Sequence, residues 1–429
     1  MVTVIRGATV VTQNANRDVL VGDVAVEGGR IAYVGPSYDG TGDEEIDAKG
    51  DVLMPGMVNT HTHVAMSVMK GVVDDLRFDE FLDRVFVIDS DRTDADMELG
   101  ATLGCMEMIR GGTTTFVDLY YSQDVIARAV EAAGLRAVLC WCCLDEEFTT
   151  QKGNPVDNCR RFCASLSGSN RITPAVGLQG VYVCNEETCV SARELSDNLG
   201  VPLNLHLSET RGEVNEHKRK TGMRPAEWLA HIGALSERCI AAHAAWLTPR
   251  EVSLMGEAGM SVSTCPVSNM KLATGGIAPV PEFLERGVNV SVGTDGSTTN
   301  NTLDMFAEMK TLALLQKSSR WDPTVVTAQQ LLDFATLGGA KAIGMADEIG
   351  SIEAGKRADL IVLDGKAPNL RPLVPENVVS NIAYSASSLN VRLTMCDGRV
   401  LYRDGMYSTI NAEDTLSRSE GAWSYLCRR

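Results

Sequence analysis

The chain of 429 residues carries 39 Lys and Arg against 56 Asp and Glu, a formal net charge of −17, with 44% hydrophobic residues. That acidic balance argues against nucleic acid and anionic membrane surfaces as partners, since both need a basic footprint, and suits a small neutral or cationic substrate. The length suggests one large domain with a smaller one beside it; no apolar stretch reaches the roughly 18 residues of a membrane span, and the first residues lack a basic, apolar and cleavable leader, so a cytoplasmic setting is expected.

Residues 1–50 alternate in short runs broken by Gly turns, at 2–5, 22–26, 30–34 and 44–47, which reads as a fragment of a small β-sandwich. The pattern changes after residue 52. A mostly apolar run over 51–58 reads as a buried strand, and it ends in His61-Thr62-His63. Residues two apart on a strand face the same side, so these two imidazoles converge on one point. Strand-like runs then alternate with amphipathic helical stretches. With the first strand taken as 52–60, the others are expected at 113–118 (after a helix through 101–110), 135–141, 172–178, 202–207, 239–243, 260–264 and 288–293. Eight parallel βα units make a (β/α)8 barrel. Residues 325–345 read as helical, and from 355 the β pattern returns at 358–364, 391–395 and 399–402, with Asp397-Gly398 as a hairpin turn. Residues 411–429 are expected to form a polar helix or tail. The expected organisation is a TIM barrel over 53–354, flanked by a β-sandwich built from 1–52 and 355–429. Twelve cysteines, Cys427 the last, include no Cys-x-x-Cys pair, which argues against a zinc knuckle; most read as small buried hydrophobes.

Four of the six histidines end strand-like runs: His61, His63, His206 and His243. Asp295, in Gly293-Thr294-Asp295-Gly296, follows the eighth run. Barrels of this kind build their sites at the C-terminal ends of the strands. Three histidines and a carboxylate suit Zn²⁺ with one open coordination position, and Fe²⁺ or Mn²⁺ would also be accommodated. Such an ion lowers the pKa of bound water to about 7 and yields a hydroxide nucleophile at neutral pH. Glu209 follows His206 by three residues, where a loop can fold it over the open position to carry protons to a ring nitrogen and a leaving group. His217 and His231 lie in helical, polar surroundings and read as surface or packing residues.

Taken together, the chain resembles the amidohydrolase superfamily, in the branch of methylthioadenosine/S-adenosylhomocysteine deaminases and triazine chlorohydrolases. The motifs that carry the resemblance run from Met54-Pro-Gly-Met-Val-Asn-Thr-His61-Thr-His63 through Gly111-Gly-Thr-Thr114, His206-Leu-Ser-Glu209 and Ala241-Ala-His243. They continue with Pro266-Val-Ser-Asn269-Met-Lys271-Leu, Gly293-Thr-Asp295-Gly296 with Asn300-Asn301, and Ala358-Asp359-Leu360, and so cover nearly the whole chain. The resemblance implies one divalent metal, zinc foremost, on His61, His63, His206 and Asp295. It implies that His243 hydrogen-bonds the hydrolytic water, that Glu209 protonates the ring nitrogen next to the attacked carbon, and that Asp295 takes the water's proton. Relatives with two metals bridge them through a carboxylated Lys after the fourth strand; Gly177-Leu-Gln179-Gly180 has none, which implies a mononuclear site.

Four positions depart from the pattern or bear on specificity. Gln179 lies in a segment without the His that methylthioadenosine deaminases carry there. Trp141 stands where an Arg would hold a substrate carboxylate. Asp89 replaces a Glu that grips ribose hydroxyls, and Phe81 stands where an aromatic packs on the substrate. Losing the Arg forfeits a charge-assisted bond of roughly 1.5–3 kcal/mol, so S-adenosylhomocysteine is expected to be a poor substrate. The expected activity is metal-dependent hydrolytic deamination of an adenosine-type nucleoside, methylthioadenosine-like, with release of ammonia. Triazine chlorohydrolysis or aminohydrolysis and deamination of a free purine or pterin stay open beside it. A homo-oligomer is implied by the resemblance.

Overall fold

The computed structural model describes residues 1–166 and 168–426. Eight parallel strands pair in sequence order: Met57–Thr62, Thr113–Tyr120, Arg136–Cys143, Ile172–Leu178, Leu203–Leu207, Cys239–His243, Ser261–Thr264 and Asn289–Val292. They are buried along nearly their whole length, because helices cover the outside of the barrel and side chains fill the inside. The first and eighth strands meet through side chain and loop. The Thr60 hydroxyl donates to the Val292 carbonyl at 3.0 Å, and the Asp295 N–H donates to the His61 carbonyl at 2.9 Å. The expected eight-stranded barrel is therefore present.

The run expected as one strand over 52–60 is two. Val52–Pro55 pairs with Val2–Val11 and with Leu360–Leu363 in a separate sheet, and only from Met57 does the chain join the barrel. Gly56 is the junction. Its N–H donates to Asp359 O at 2.8 Å on the outer sheet, while the Met57 N–H donates to Gly112 O at 3.0 Å on the barrel side. A Cβ at position 56 would sit 2.2 Å from the Thr114 side chain, so only glycine lets the two sheets approach this closely. The chain thus changes sheet at Gly56, three residues beyond a 52/53 division.

The flanking unit is a mixed sheet of nine strands contributed by both ends of the chain. Ile5, Val10, Val24, Ile31, Leu53, Leu360, Val362 and Met395 form its own core. It is locked to the barrel by the buried Arg136 guanidinium, whose Nε and Nη2 reach the two Asp359 oxygens at 3.0 and 3.2 Å.

Over the mouth of the barrel, the turn Val64–Met69 and the helix Phe78–Ser90 pack with the C-terminal helix Ala412–Leu426. Val68, Met69, Phe81, Val85, Ile88 and Leu426 share one apolar cluster there. Of the polar helix or tail expected over 411–429, the described part is a helix, Ala412–Leu426, and Cys427 lies outside the described residues. The other eleven cysteines are buried and unpaired. His217 is buried against Trp228, their ring centroids 4.9 Å apart, and His231 is exposed. No described helix is long and apolar enough to cross a membrane.

Candidate active site

His61 and His63 project from the end of the first barrel strand, His206 from the fifth and His243 from the sixth, with Asp295 just past the eighth. Each of the first three imidazoles has one nitrogen held by an oxygen. His61 Nδ1 meets Asn204 Oδ1 at 2.9 Å, His63 Nδ1 meets the Leu119 carbonyl at 2.6 Å, and His206 Nδ1 meets the Gln179 carbonyl at 2.7 Å. Carbonyl oxygens only accept, so Nδ1 carries the hydrogen in each ring and Nε2 presents a lone pair. These lone pairs converge. His63 Nε2 and His206 Nε2 are 3.2 Å apart, and His61 Nε2 is buried with no hydrogen-bond partner. Asp295 Oδ1 lies 3.3 Å from His63 Nε2 and 3.9 Å from His61 Nε2.

Lone pairs pointed at one another in a buried site repel unless a cation lies among them, and the donor set of three imidazoles and a carboxylate, each ring oriented by an outer oxygen, fits a divalent ion. The side chains also form two overlapping triads, His61/His63/His206 and His61/His243/Asp295, whose ligating atoms lie within 4.8 Å of one another. Burial, then the adjacent imidazoles, push His206 down to about 3 and hold His61 well below the ordinary histidine range, so both rings are neutral, as ligands must be. Burial works to raise Asp295, but His243, His63 and His61 around it hold its carboxyl below the usual range. Its Oδ2 accepts the Ser268 hydroxyl at 2.6 Å and its Oδ1 the Gly296 N–H at 2.6 Å.

Backbone strain collects here. Ser208, His243, Ala244 and Asp295 all adopt left-handed conformations, with φ of 49°, 66°, 48° and 63°. Such conformations cost of order 1–3 kcal/mol each outside glycine.

Glu209 sits above this cluster. Its Oε2 is 3.9 Å from His243 Nε2, and that nitrogen is 4.0 Å from Asp295 Oδ2. Burial, then the negative charge of Asp295, push the Glu209 carboxyl up to about 8. The loop that carries it is fastened by Glu213, whose two oxygens accept the Ser208 and Glu209 N–H groups at 3.0 and 2.8 Å.

A cavity of about 560 Å³ opens over these groups, walled by Phe81, Leu82, Val85, Leu144 and Phe148. Among the described residues no Lys or Arg lines it. Phe81, Asp89 and Gln179 line it; Trp141 does not. On the third strand it is Cys142 that lines the cavity, because alternate residues face opposite sides. Trp141 points outward to Phe162, with ring centroids 5.5 Å apart, and donates its indole N–H to Gln151 Oε1 at 2.8 Å. Its bearing on the pocket is indirect, through Gln151, which does line it.

Asp89 is more heavily engaged than its place in the sequence suggests. Its Oδ1 accepts Tyr120 OH at 2.5 Å and Arg92 Nη1 at 3.0 Å, and its Oδ2 accepts Tyr121 OH at 2.5 Å. The two phenols line the cavity beside it and belong to none of the sequence motifs above. The signal was there: the second strand runs on to Tyr120, two residues past its expected end. Ser268 and Asn269 stand in the sequence only as parts of the 266–272 motif; their contacts with Asp295 and His243 come from the fold.

Residues 52–401 match the model of the amidohydrolase family. The 5'-deoxyadenosine deaminase of Methanothermobacter thermautotrophicus is 42% identical over 405 residues, 94% of each chain. The 5-methylthioadenosine/S-adenosylhomocysteine deaminase of Moorella thermoacetica is 40% identical over 410 residues, 92% of this chain and 93% of the relative. Among solved structures, a zinc-bound adenosine deaminase from Xanthomonas campestris superposes with a TM-score of 0.95 at 32% identity, over 99% of this chain and 98% of the other. An atrazine chlorohydrolase from Arthrobacter aurescens complexed with zinc shares the fold at 21% identity, with a TM-score of 0.88 over 98% of this chain and 100% of the other.

Proposed function

The chain belongs to the amidohydrolase family, and from that premise we propose that it is a metal-dependent deaminase of adenosine-type nucleosides with an uncharged 5' end, which replaces the ring amino group with oxygen from water and releases ammonia. The observation that carries this is the stack of groups at the barrel mouth. Convergent imidazole lone pairs and Asp295 lie below, a buried acid, Glu209, lies above, and the cavity between apolar walls is free of cationic side chains among the described residues. His61, His63, His206 and Asp295 would hold the ion, with zinc the first candidate. When bound there, a divalent ion lowers the pKa of a water to about 7 and so supplies a nucleophile at neutral pH.

The remaining work falls to the chain's own residues. Glu209, protonated at neutral pH, gives its proton to the ring nitrogen beside the carbon under attack, which makes that carbon electrophilic. Asp295, kept ionised, takes the proton of the attacking water. His243 donates a hydrogen bond that stabilises the developing oxygen charge. Asp295 then returns the water's first proton to the amino group, which leaves as ammonia when the C–N bond breaks, while the proton still on the added hydroxyl passes to Glu209 as the C=O forms and restores its acid. Phe81 packs against the heterocycle, and Asp89 with its two phenols meets the sugar hydroxyls. Homo-oligomerisation and a cytoplasmic setting belong to the same proposal.

Steady-state ammonia release by the zinc-loaded enzyme tests it, on a panel of 5'-deoxyadenosine, 5'-methylthioadenosine, S-adenosylhomocysteine, free purines and pterins, and an atrazine-like triazine followed by chloride release. Turnover of the first two nucleosides is expected. Turnover confined to the triazine would replace the proposal with the chlorohydrolase alternative.

A further inference from the structure

Three of the four site histidines give their Nδ1 hydrogen to an oxygen, and the fourth is different. His243 Nδ1 lies 3.2 Å from the carboxamide Nδ2 of Asn269, a buried pair. An amide nitrogen donates and has no lone pair to offer, so the ring nitrogen facing it accepts. In a neutral imidazole the hydrogen is then on Nε2. A charged ring would set an N–H against that amide donor, so the geometry itself calls for the neutral form. A second observation at the opposite end of the ring agrees. His243 Nε2 faces two carboxyl groups, Glu209 Oε2 at 3.9 Å and the ionised Asp295 Oδ2 at 4.0 Å. A bare lone pair there would be repelled by Asp295, whereas an N–H is attracted.

We infer that Asn269 is a positioning residue that fixes the Nε2–H tautomer of His243, turning this histidine from a fourth potential ligand into a hydrogen-bond donor. The inference rests on the proposed hydrolytic function for its consequence, though not for its physical test. It separates the two overlapping triads of the site. His61, His63 and His206 present lone pairs, while an Nε2–H cannot ligate, so the His61/His243/Asp295 triad is not the one that takes an ion. The donor instead points into the gap between Glu209 and Asp295, where the oxygen charge of a tetrahedral intermediate develops.

Asn269 reaches this position through local structure. It lies on the short helix Pro266–Lys271 directly after the seventh strand, and its own backbone is tied by the Thr274 N–H and hydroxyl, which donate to the Asn269 carbonyl at 3.1 and 3.3 Å. The neighbouring Ser268 donates to Asp295 at 2.6 Å, so one helical turn orients both groups that would handle the water.

The test is nitrogen NMR of the zinc-loaded enzyme carrying ring-¹⁵N histidine, without substrate, with the His243 signals assigned by their loss in His243→Gln. A protonated Nε2 and a bare Nδ1 are expected for His243, and the reverse pattern at the other three site histidines. A His243 ring protonated on Nδ1 alone overturns the inference, whether or not the nucleoside panel shows turnover. In Asn269→Asp, where only acceptors face the ring, Nδ1 becomes protonated and kcat falls by about 10²–10³-fold with KM changed by less than about threefold. An unchanged nitrogen spectrum in that variant removes the role of Asn269. Should the variant not fold, the wild-type spectrum still decides the tautomer.

Discussion

Glu209 does its work through its surroundings. A carboxyl that burial and Asp295 raise to about 8 is a proton donor at neutral pH, which an exposed glutamate is not. Glu209→Gln keeps the shape and removes the transferable proton, and kcat is expected to fall by about 10²–10⁴-fold; an undiminished kcat would remove Glu209 from the proton path. The sign of the pH dependence follows. The working form is the acid, so kcat/KM of the metal-loaded enzyme declines as pH rises, and the decline begins below about 8 because the positive charge of the ion favours the carboxylate. Specificity is also set at the residue scale. With no Lys or Arg among the described lining residues, a carboxylate on the substrate finds no cationic partner. Forfeiting a bond of roughly 1.5–3 kcal/mol corresponds to kcat/KM for S-adenosylhomocysteine about 10–150-fold below that for 5'-methylthioadenosine.

At the scale of elements, strand ends place the chemistry and loops close over it. The segment between the first barrel strand and the helix Phe78–Ser90 is pinned by Lys271, whose ammonium reaches Asp74 Oδ1 at 2.7 Å, the Thr298 carbonyl at 3.0 Å and Asn301. Asn301 in turn donates to Asp74 Oδ2 at 2.8 Å. This clamp ties the helix carrying Phe81 and Asp89 to the loop after the eighth strand. Lys271→Met is expected to raise KM about three- to tenfold while kcat stays within about twofold, with faster amide exchange over 70–90 as the accompanying sign. Elements also show how far the sequence could be read. His61-x-His63 and Asp295 were legible because strand periodicity decides which way they face and because barrels concentrate function at strand ends. Gly56 was missed as a junction because an apolar run looks the same in either sheet. Trp141 was misdirected by one residue, and in a strand one residue is the opposite face. The phenols of Tyr120 and Tyr121 depend on a long-range meeting with Asp89 that no local pattern encodes.

For the whole molecule, two units share one foundation. Arg136 and Asp359 are almost wholly buried between barrel and outer sheet. Asp359→Asn leaves the guanidinium short of its counter-charge and is expected to cost about 3–5 kcal/mol in denaturant unfolding, with both units losing structure together. The site at the other end depends on the ion. Chelation should abolish turnover and lower the melting temperature, since ligand binding to the folded state alone stabilises it, and stoichiometric zinc should restore both. The most direct test of the central claim is ammonia release from 5'-methylthioadenosine by the enzyme before chelation, after chelation and after zinc return. Stoichiometric ammonia with the deaminated nucleoside, lost and regained with the metal, is the predicted result. A zinc-loaded, folded enzyme that releases no ammonia from this nucleoside or from 5'-deoxyadenosine would contradict it.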